Sequence, residues 1–330
     1  MYSEDDLASA VKAGVLSEET AAAFRRHVAQ LDSDPSVDDE RFRLVTGFND
    51  IFVVIACALS LASVAWIGAV LAPWIGGLAA AALAWGLAEF FTRKRRMALP
   101  SIVLLLAFEG GLFAAGVLYF ERSQASFVVA SVLALAGAWL HWRRFHVPIT
   151  MAAGVGAAVG SVVALLLELA PGAANWTAVI SFVAGIAIFA LAMRWDATDR
   201  LRQTRRSDVA FWLHLLAAPL LVRATFAALG VSNGETSLLQ ALAVVVLYVT
   251  IALVSLAIDR RALMVAALGY VLYTFSTLLK QYGVVSMSFA ITALALGSTL
   301  LLLSAFWHTS REVVLKRLPL TLQLRLPPSR

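Results

Sequence analysis

Six ionisable side chains stand inside otherwise apolar stretches of this chain. Glu109 lies near the middle of one stretch, followed by Gly110 and Gly111. Arg223 lies within another, displaced toward its far end. Glu89 and His214 sit toward one end of theirs, Glu168 and Lys280 toward the opposite end. A charged group in hydrocarbon is costly, so each of these marks a candidate site. Glu109 and Arg223 could line a solute or proton path through a polar interior. They could equally close on each other as a buried pair that sets helix register, a role such pairs fill with little net stability. Glu89, Glu168 and Lys280 are near enough to an interface to extend toward headgroups. A second signal is a stripe of Tyr270, Tyr273, Thr274, Thr277 and Gln281 at helical spacing, with Ser288, Thr292 and Thr299 in the next stretch. Such a stripe marks an inward face, as a cavity wall or as hydroxyls bonding to neighbouring helices and their own backbone. The path candidates are therefore Glu109, Arg223, Tyr273, Thr277 and Lys280, with Glu89 and His214 on the inner side.

Other chemistries have less to stand on. The five histidines are His27, His141, His146, His214 and His308, and none forms an HxxxH or HExxH unit. A bis-histidine haem needs a facing pair at matched depth, so no metal and no cofactor is expected. No nucleophile elbow, phosphate-binding loop or dinucleotide fingerprint occurs in a strand–turn–helix context, and no catalytic residue is assigned. The single cysteine, Cys57, excludes an internal disulfide.

The elements that must position these residues are membrane spans. The chain has 330 residues, 61% hydrophobic and only 14% charged, far from the balance of a soluble domain. A bilayer core needs about 20 helical residues to cross. Ten stretches of that size are predicted, at 50–72, 73–92, 99–120, 124–142, 147–170, 174–194, 209–230, 236–258, 262–280 and 284–307. The expected fold is an all-α polytopic bundle over 50–308. Pro73, Pro100, Pro148 and Pro171 fall at or near predicted ends, where a missing N–H matters least. Pro219 alone lies inside a span and predicts a kink.

Basic residues give the orientation. The net charge is +5, and of the 26 Lys and Arg all but Arg122, Arg223 and Lys280 fall on one side of this topology. That bias places both termini in the cytoplasm and accounts for the charge without nucleic acid, while 22 Arg against four Lys, beside many Ala, suggest a bacterial source and hence an inner membrane. Trp74 and Trp176 fall at outer span ends, Trp142, Trp195, Trp212 and Trp307 at inner ends, the depth an amphipathic indole prefers. The basic run from Arg93 to Arg96 suits orientation, and anionic headgroups as well. Gly156 and Gly160 form a small-residue face, suited to a packing seam within the bundle or to a homodimer contact.

The two ends are patterned differently. Residues 1–33 read as a cytoplasmic helical hairpin, with Ser3 and Ser17 as caps and Gly14 as the stop between the helices. Leu7, Ala10 and Val11 form one apolar face; Ala21, Phe24, Val28 and Leu31 form the other. Two short helices bury too little to stand alone, so the hairpin needs a surface to dock on. Residues 34–49 read as an acidic linker and lead-in. The turn Ala13-Gly14-Val15-Leu16-Ser17-Glu18-Glu19 resembles one in a bacterial family of multi-span membrane proteins known only as a domain of unknown function. That family similarly carries a cytosolic helical hairpin before its first span. The resemblance implies no activity, cofactor or catalytic residue. In the tail, 309–330, leucines at 318, 320, 322, 324 and 326 alternate with other residues, a period of two that predicts an extended segment.

Two functions follow as expectations. The first is a non-enzymatic scaffold in the lipid bilayer whose cytoplasmic ends bind a partner protein or a second copy. The second is a secondary transporter or proton-coupled carrier built around Glu109 and Arg223.

Overall fold

The computed structural model describes residues 4–24, 48–120, 123–199, 202, 204–229, 237–281, 288–323 and 326. The chain divides into two compact units, residues 1–43 and 44–330.

In the first unit, α1 spans Glu4–Lys12 and α2 the described residues 18–24. Gly14 adopts a left-handed φ of 71°. Its N–H reaches Val11 O at 3.0 Å, and Val15 N–H reaches Ala10 O at 3.0 Å. This paired closure of the last carbonyls requires a residue without a Cβ penalty at that φ. Ser17 Oγ accepts from Thr20 N–H at 3.1 Å and caps α2. Residues 25–33, the rest of the expected hairpin, lie outside the described residues, as does the linker up to residue 47.

The second unit is all helix among the described residues. Its elements are α3 (Phe48–Leu71), α4 (Pro73–Ala88) continuing as a π-helix (Glu89–Lys94), α5 (Ala98–Tyr119), α6 (Gln124–Phe145) and α7 (Ile149–Leu169). A 3₁₀ segment (Pro171–Trp176) leads into α8 (Thr177–Thr198), then α9 (Arg205–Ala228), α10 (Leu238–Ile258), α11 (Ala262–Gln281), α12 (Ser288–Ala305), α13 (Trp307–Lys316) and α14 (Leu320–Gln323). Pro73 and Pro171 each open their helix. Among the described residues eight helices, α3 to α10, are long and apolar enough to cross a bilayer, nine if the bent pair α12–α13 counts as one. Most residues of these apolar windows stay outside the protein core, and Trp66, Ile67, Val162 and Leu242 are among the exposed side chains. Apolar surface on that scale is unsustainable in water and ordinary against lipid, which points to a multi-pass membrane protein. The ninth and tenth expected spans correspond to α11, whose apolar described part is the shorter Leu263–Thr277, and to α12, which meets α13 at a 74° bend.

Consecutive helices pack side by side, and small residues set the distance. A Cβ on Gly77 would stand 2.7 Å from Gly111 O, and one on Gly111 would stand 2.6 Å from Gly77 O, so α4 and α5 touch backbone to backbone. Gly156 faces Leu216 of α9 and Gly160 faces Ser131 of α6, so both glycines pack within the chain while staying half-buried. One apolar core joins α3, α4 and α5 around Leu61, Ala84, Leu104 and Phe108. A second joins α7, α8 and α9 around Ile188, Val209 and Leu213; a third joins α9, α10 and α11 around Phe226, Val244 and Val271. Helix α9 thus contacts α7, α8 and α11.

The tail departs from the expected extended segment. Leu322 and Gln323 N–H groups bond Pro319 O, Leu326 N–H bonds Leu322 O, and Gln323 Nε2 donates to Leu318 O at 2.7 Å. A lone strand would leave those backbone groups unpaired, whereas a helical turn satisfies them locally. Leu318, Leu322 and Leu326 are also spaced by four, so the alternation hides a helical period. Leu326 is buried with Ile258, Leu263 and Leu315.

Candidate functional site

The densest polar structure lies where α8, α9, α10, α11 and α13 meet, at the end of the bundle that carries most of the Lys and Arg. Asp196, near the end of α8, is the first centre. Arg260, between α10 and α11, grips it with Nη2 at 2.6 Å from Oδ1 and Nε at 3.3 Å from Oδ2. His214 Nε2 of α9 lies 3.0 Å from Oδ2. Arg260 Nη2 also donates to Ser207 O and Oγ, both at 3.1 Å, at the start of α9. Ser255 Oγ donates to the Arg260 carbonyl at 2.6 Å. All these side chains are buried.

Asp259 is the second centre. Arg202 Nη1 donates to Oδ2 at 2.8 Å, and its Nη2 donates to the Ile258 and Asp259 carbonyls, both at 3.1 Å. Trp307 Nε1–H of α13 donates to Oδ1 at 2.7 Å, and Arg311 Nε stands 3.7 Å from the same oxygen. Arg261 stacks its guanidinium 4.8 Å from the Trp307 ring centroid. Asp259 has φ 56° and closes α10, with Arg260 N–H on Ser255 O at 3.0 Å. A left-handed non-glycine residue is strained, and the donors on its carboxylate hold it there. Burial pushes the Asp259 carboxyl up, but Arg202, Arg311 and the Trp307 N–H outweigh it and hold it below the usual carboxylate range. Next to this centre, Asp199 Oδ2 accepts from Thr204 N–H at 2.9 Å and Thr204 Oγ1 at 2.7 Å, shaping the turn into α9.

This arrangement is matched in charge and closed to solvent. The Asp196 and Asp259 carboxylates are held by guanidinium, imidazole or indole donors, so their chemistry is that of a clamp on helix ends. Among the described residues no group of three His, Cys, Asp or Glu could hold a metal ion.

The residues singled out in sequence are mostly dispersed. Glu109 is inside the bundle, only 9% exposed, and neither carboxylate oxygen has a hydrogen-bond partner among the described residues. Arg223 is not its partner: it is exposed on α9. The reason is packing, because α5 lies against α3, α4, α6 and α7 while Arg223 points away from the face of α9 that bears Val222 and Phe226. Tyr273 is 46% exposed, and Thr277 Oγ1 donates to its carbonyl at 2.9 Å, so this part of the stripe does not turn inward. Thr274 of the same stripe is buried, on a face shared with Ala267 and Val271, and so is Thr292 of α12. Lys280 lies in the last turn of α11, its side chain outside the described residues. Glu89 opens the π-helical end of α4, bonded by Arg144 Nε at 2.6 Å and Nη2 at 3.0 Å, and by Arg93 at 3.3 Å, in an exposed position. His214 belongs to the clamp.

Sequence reasoning passed over Asp196, Asp259, Arg202, Arg260 and Arg311, and weighed His141 only as a metal or haem ligand. The arginines read as orientation signals, and Trp307 as an interfacial anchor, whereas it is buried with its N–H on Asp259. One signal was available. Orientation by basic loops needs no aspartate, so Asp196, Asp199 and Asp259 at basic helix ends ask for partners. Compared with protein-family models, curated proteins and solved structures, this chain has no match.

Proposed function

We propose that this chain is a multi-pass scaffold of a bacterial inner membrane, with both termini cytoplasmic and no enzymatic activity. Its bundle holds a rigid cytoplasmic face that binds a partner protein or a second copy. The observation that supports this reading is the double clamp on Asp196 and Asp259, which ties two interhelical connections and α13 into one buried network. Buried ion pairs contribute little net stability but impose one geometry, as a recognition surface requires. The N-terminal unit is the segment expected to carry the partner contact. The test is purification in nanodiscs with and without residues 1–33. Loss of a co-purifying protein or of the oligomer, with insertion intact, is expected. Associations unchanged by the deletion would overturn the reading.

A second reading, a proton-coupled carrier, draws on Glu109. A buried carboxyl without a partner is not what a passive bundle needs. Arg223, on the exposed side of α9, does not enter that reading.

A further inference from the structure

Two ionisable side chains in the interior of α4, α5 and α6 have buried polar atoms without a hydrogen-bond partner among the described residues. His141 of α6 is 1% exposed. Its Nδ1 lies 3.0 Å from Thr150 Oγ1 at the start of α7, while Nε2 has no partner among the described residues. Its ring is walled by Phe145, Phe108 and Trp85, with centroids at 4.6, 5.9 and 6.1 Å. Glu109 of α5 is the other, with both oxygens unbonded.

The two share one face of α6. One turn before His141 stands Gly137, where the missing side chain makes room first for Leu112. A Cβ there would lie 3.4 Å from Glu109 Oε1 and 3.3 Å from Phe108 Cε1. Residues four apart on a helix have Cβ atoms about 5–6 Å apart. The Glu109 carboxyl and the Phe108 ring therefore both meet α6 at Gly137, one turn from His141, whose own ring also packs on Phe108. Toward the basic end, Phe145 contacts the His141 ring, and one residue before it Arg144 holds Glu89.

The ionisable groups on every helix packed against α5 are few. Helix α3 offers Asp50 and Cys57; α4 with its π-helix offers Glu89, Arg93 and Lys94. Helix α6 offers His141, Arg143 and Arg144; α7 offers only Glu168 near its far end. A carboxylate left charged in such surroundings has no counter-ion at bonding distance, and a proton neutralises it at far lower cost than desolvation.

The geometry points to a buried proton-binding site formed by Glu109 and His141 in the interior of the α4, α5 and α6 group. On loading, a proton given up by water is taken into the pair and comes to rest on a Glu109 oxygen. The product is a carboxylic acid beside a neutral imidazole. Unloading is the reverse, with the proton returned to the same water, so charge balances without another reactant. The site goes beyond the scaffold reading and does not depend on it. For the carrier reading it replaces Arg223 by His141 as the working partner of Glu109, and it rests on that reading only for what the proton would drive.

The test is infrared spectroscopy of the protein in nanodiscs across a pH series, with no transport readout, so a failed carrier reading and a failed proton site remain distinguishable. A carboxylic-acid carbonyl band at neutral pH is expected, absent in Glu109→Gln, displaced in His141→Gln and unchanged in Glu168→Gln. A band that survives Glu109→Gln, or that ignores His141→Gln, overturns the site. Should His141→Gln fail to fold, nitrogen NMR of the labelled His141 ring decides between wild type and the near-isosteric Glu109→Gln. A moved Nε2 resonance supports the shared site, and an unmoved one rejects it.

Discussion

Arg260 is the residue on which most of the clamp converges. It holds Asp196 with two nitrogens, Ser207 with a second pair of contacts, and its own carbonyl takes the Ser255 hydroxyl. Removing it leaves Asp196 and His214 buried beside each other without the guanidinium. Breaking one partner of a buried pair costs about 3–5 kcal/mol, and Arg260→Ala is expected in that range in denaturant unfolding of the detergent-solubilised protein. Arg144→Ala, which breaks an ion pair of similar distance at an exposed position, should leave the midpoint nearly unchanged, because solvent screens such pairs. Equal effects of the two substitutions would remove the argument that burial gives the clamp its strength. None of this was legible residue by residue. Arg202 and Asp259 are 57 positions apart and Asp196 and Arg260 are 64 apart, so no local pattern joins them.

Between elements, the contact of α4 with α5 turns on which of two adjacent glycines faces inward. A Cβ at Gly111 would meet Gly77 O at 2.6 Å and Ala81 Cβ at 3.1 Å, while one at Gly110 meets nothing within 4 Å. Gly111→Leu must push the helices apart, and overpacking of this kind costs about 1–3 kcal/mol. Gly110→Ala is expected to be neutral, or stabilising by up to about 1 kcal/mol through helix propensity. Thermal unfolding of the two variants checks the contrast, and reversed ranking would mean that α5 is rotated from its described setting. The same rotation governs Glu109, whose burial follows from sharing a helix with Gly111. The glycines were visible in sequence, but which of them touched a neighbour was not.

At the scale of the molecule, the arrangement of helices implies two faces, one bearing the clamp and one bearing the Pro171–Trp176 turn. Cys57 is the single native cysteine and is buried, so a Cys57→Ser background allows each face to be labelled alone. In intact cells an impermeant thiol reagent should reach Gly172→Cys and spare Arg206→Cys until the membrane is opened. Labelling of Arg206→Cys from outside would invert the topology and with it the cytoplasmic face of the scaffold.

Hydrocarbon thickness is a length, and length is linear information. The positions of α3 to α10, the proline-marked starts and the stop at Gly14 could therefore be read from the order of residues alone. Rotation about each helix axis is a different quantity. Helices that are apolar on nearly every side carry little periodic mark of which face turns inward. So the outward Arg223 and Tyr273, the inward Glu109 and His141, and the aspartates gathered under Arg202 and Arg260 were settled only when the helices packed. The tail shows the same limit, since leucines at every second position satisfy a period of two and of four alike, and the need to pair backbone groups selected the helical turn.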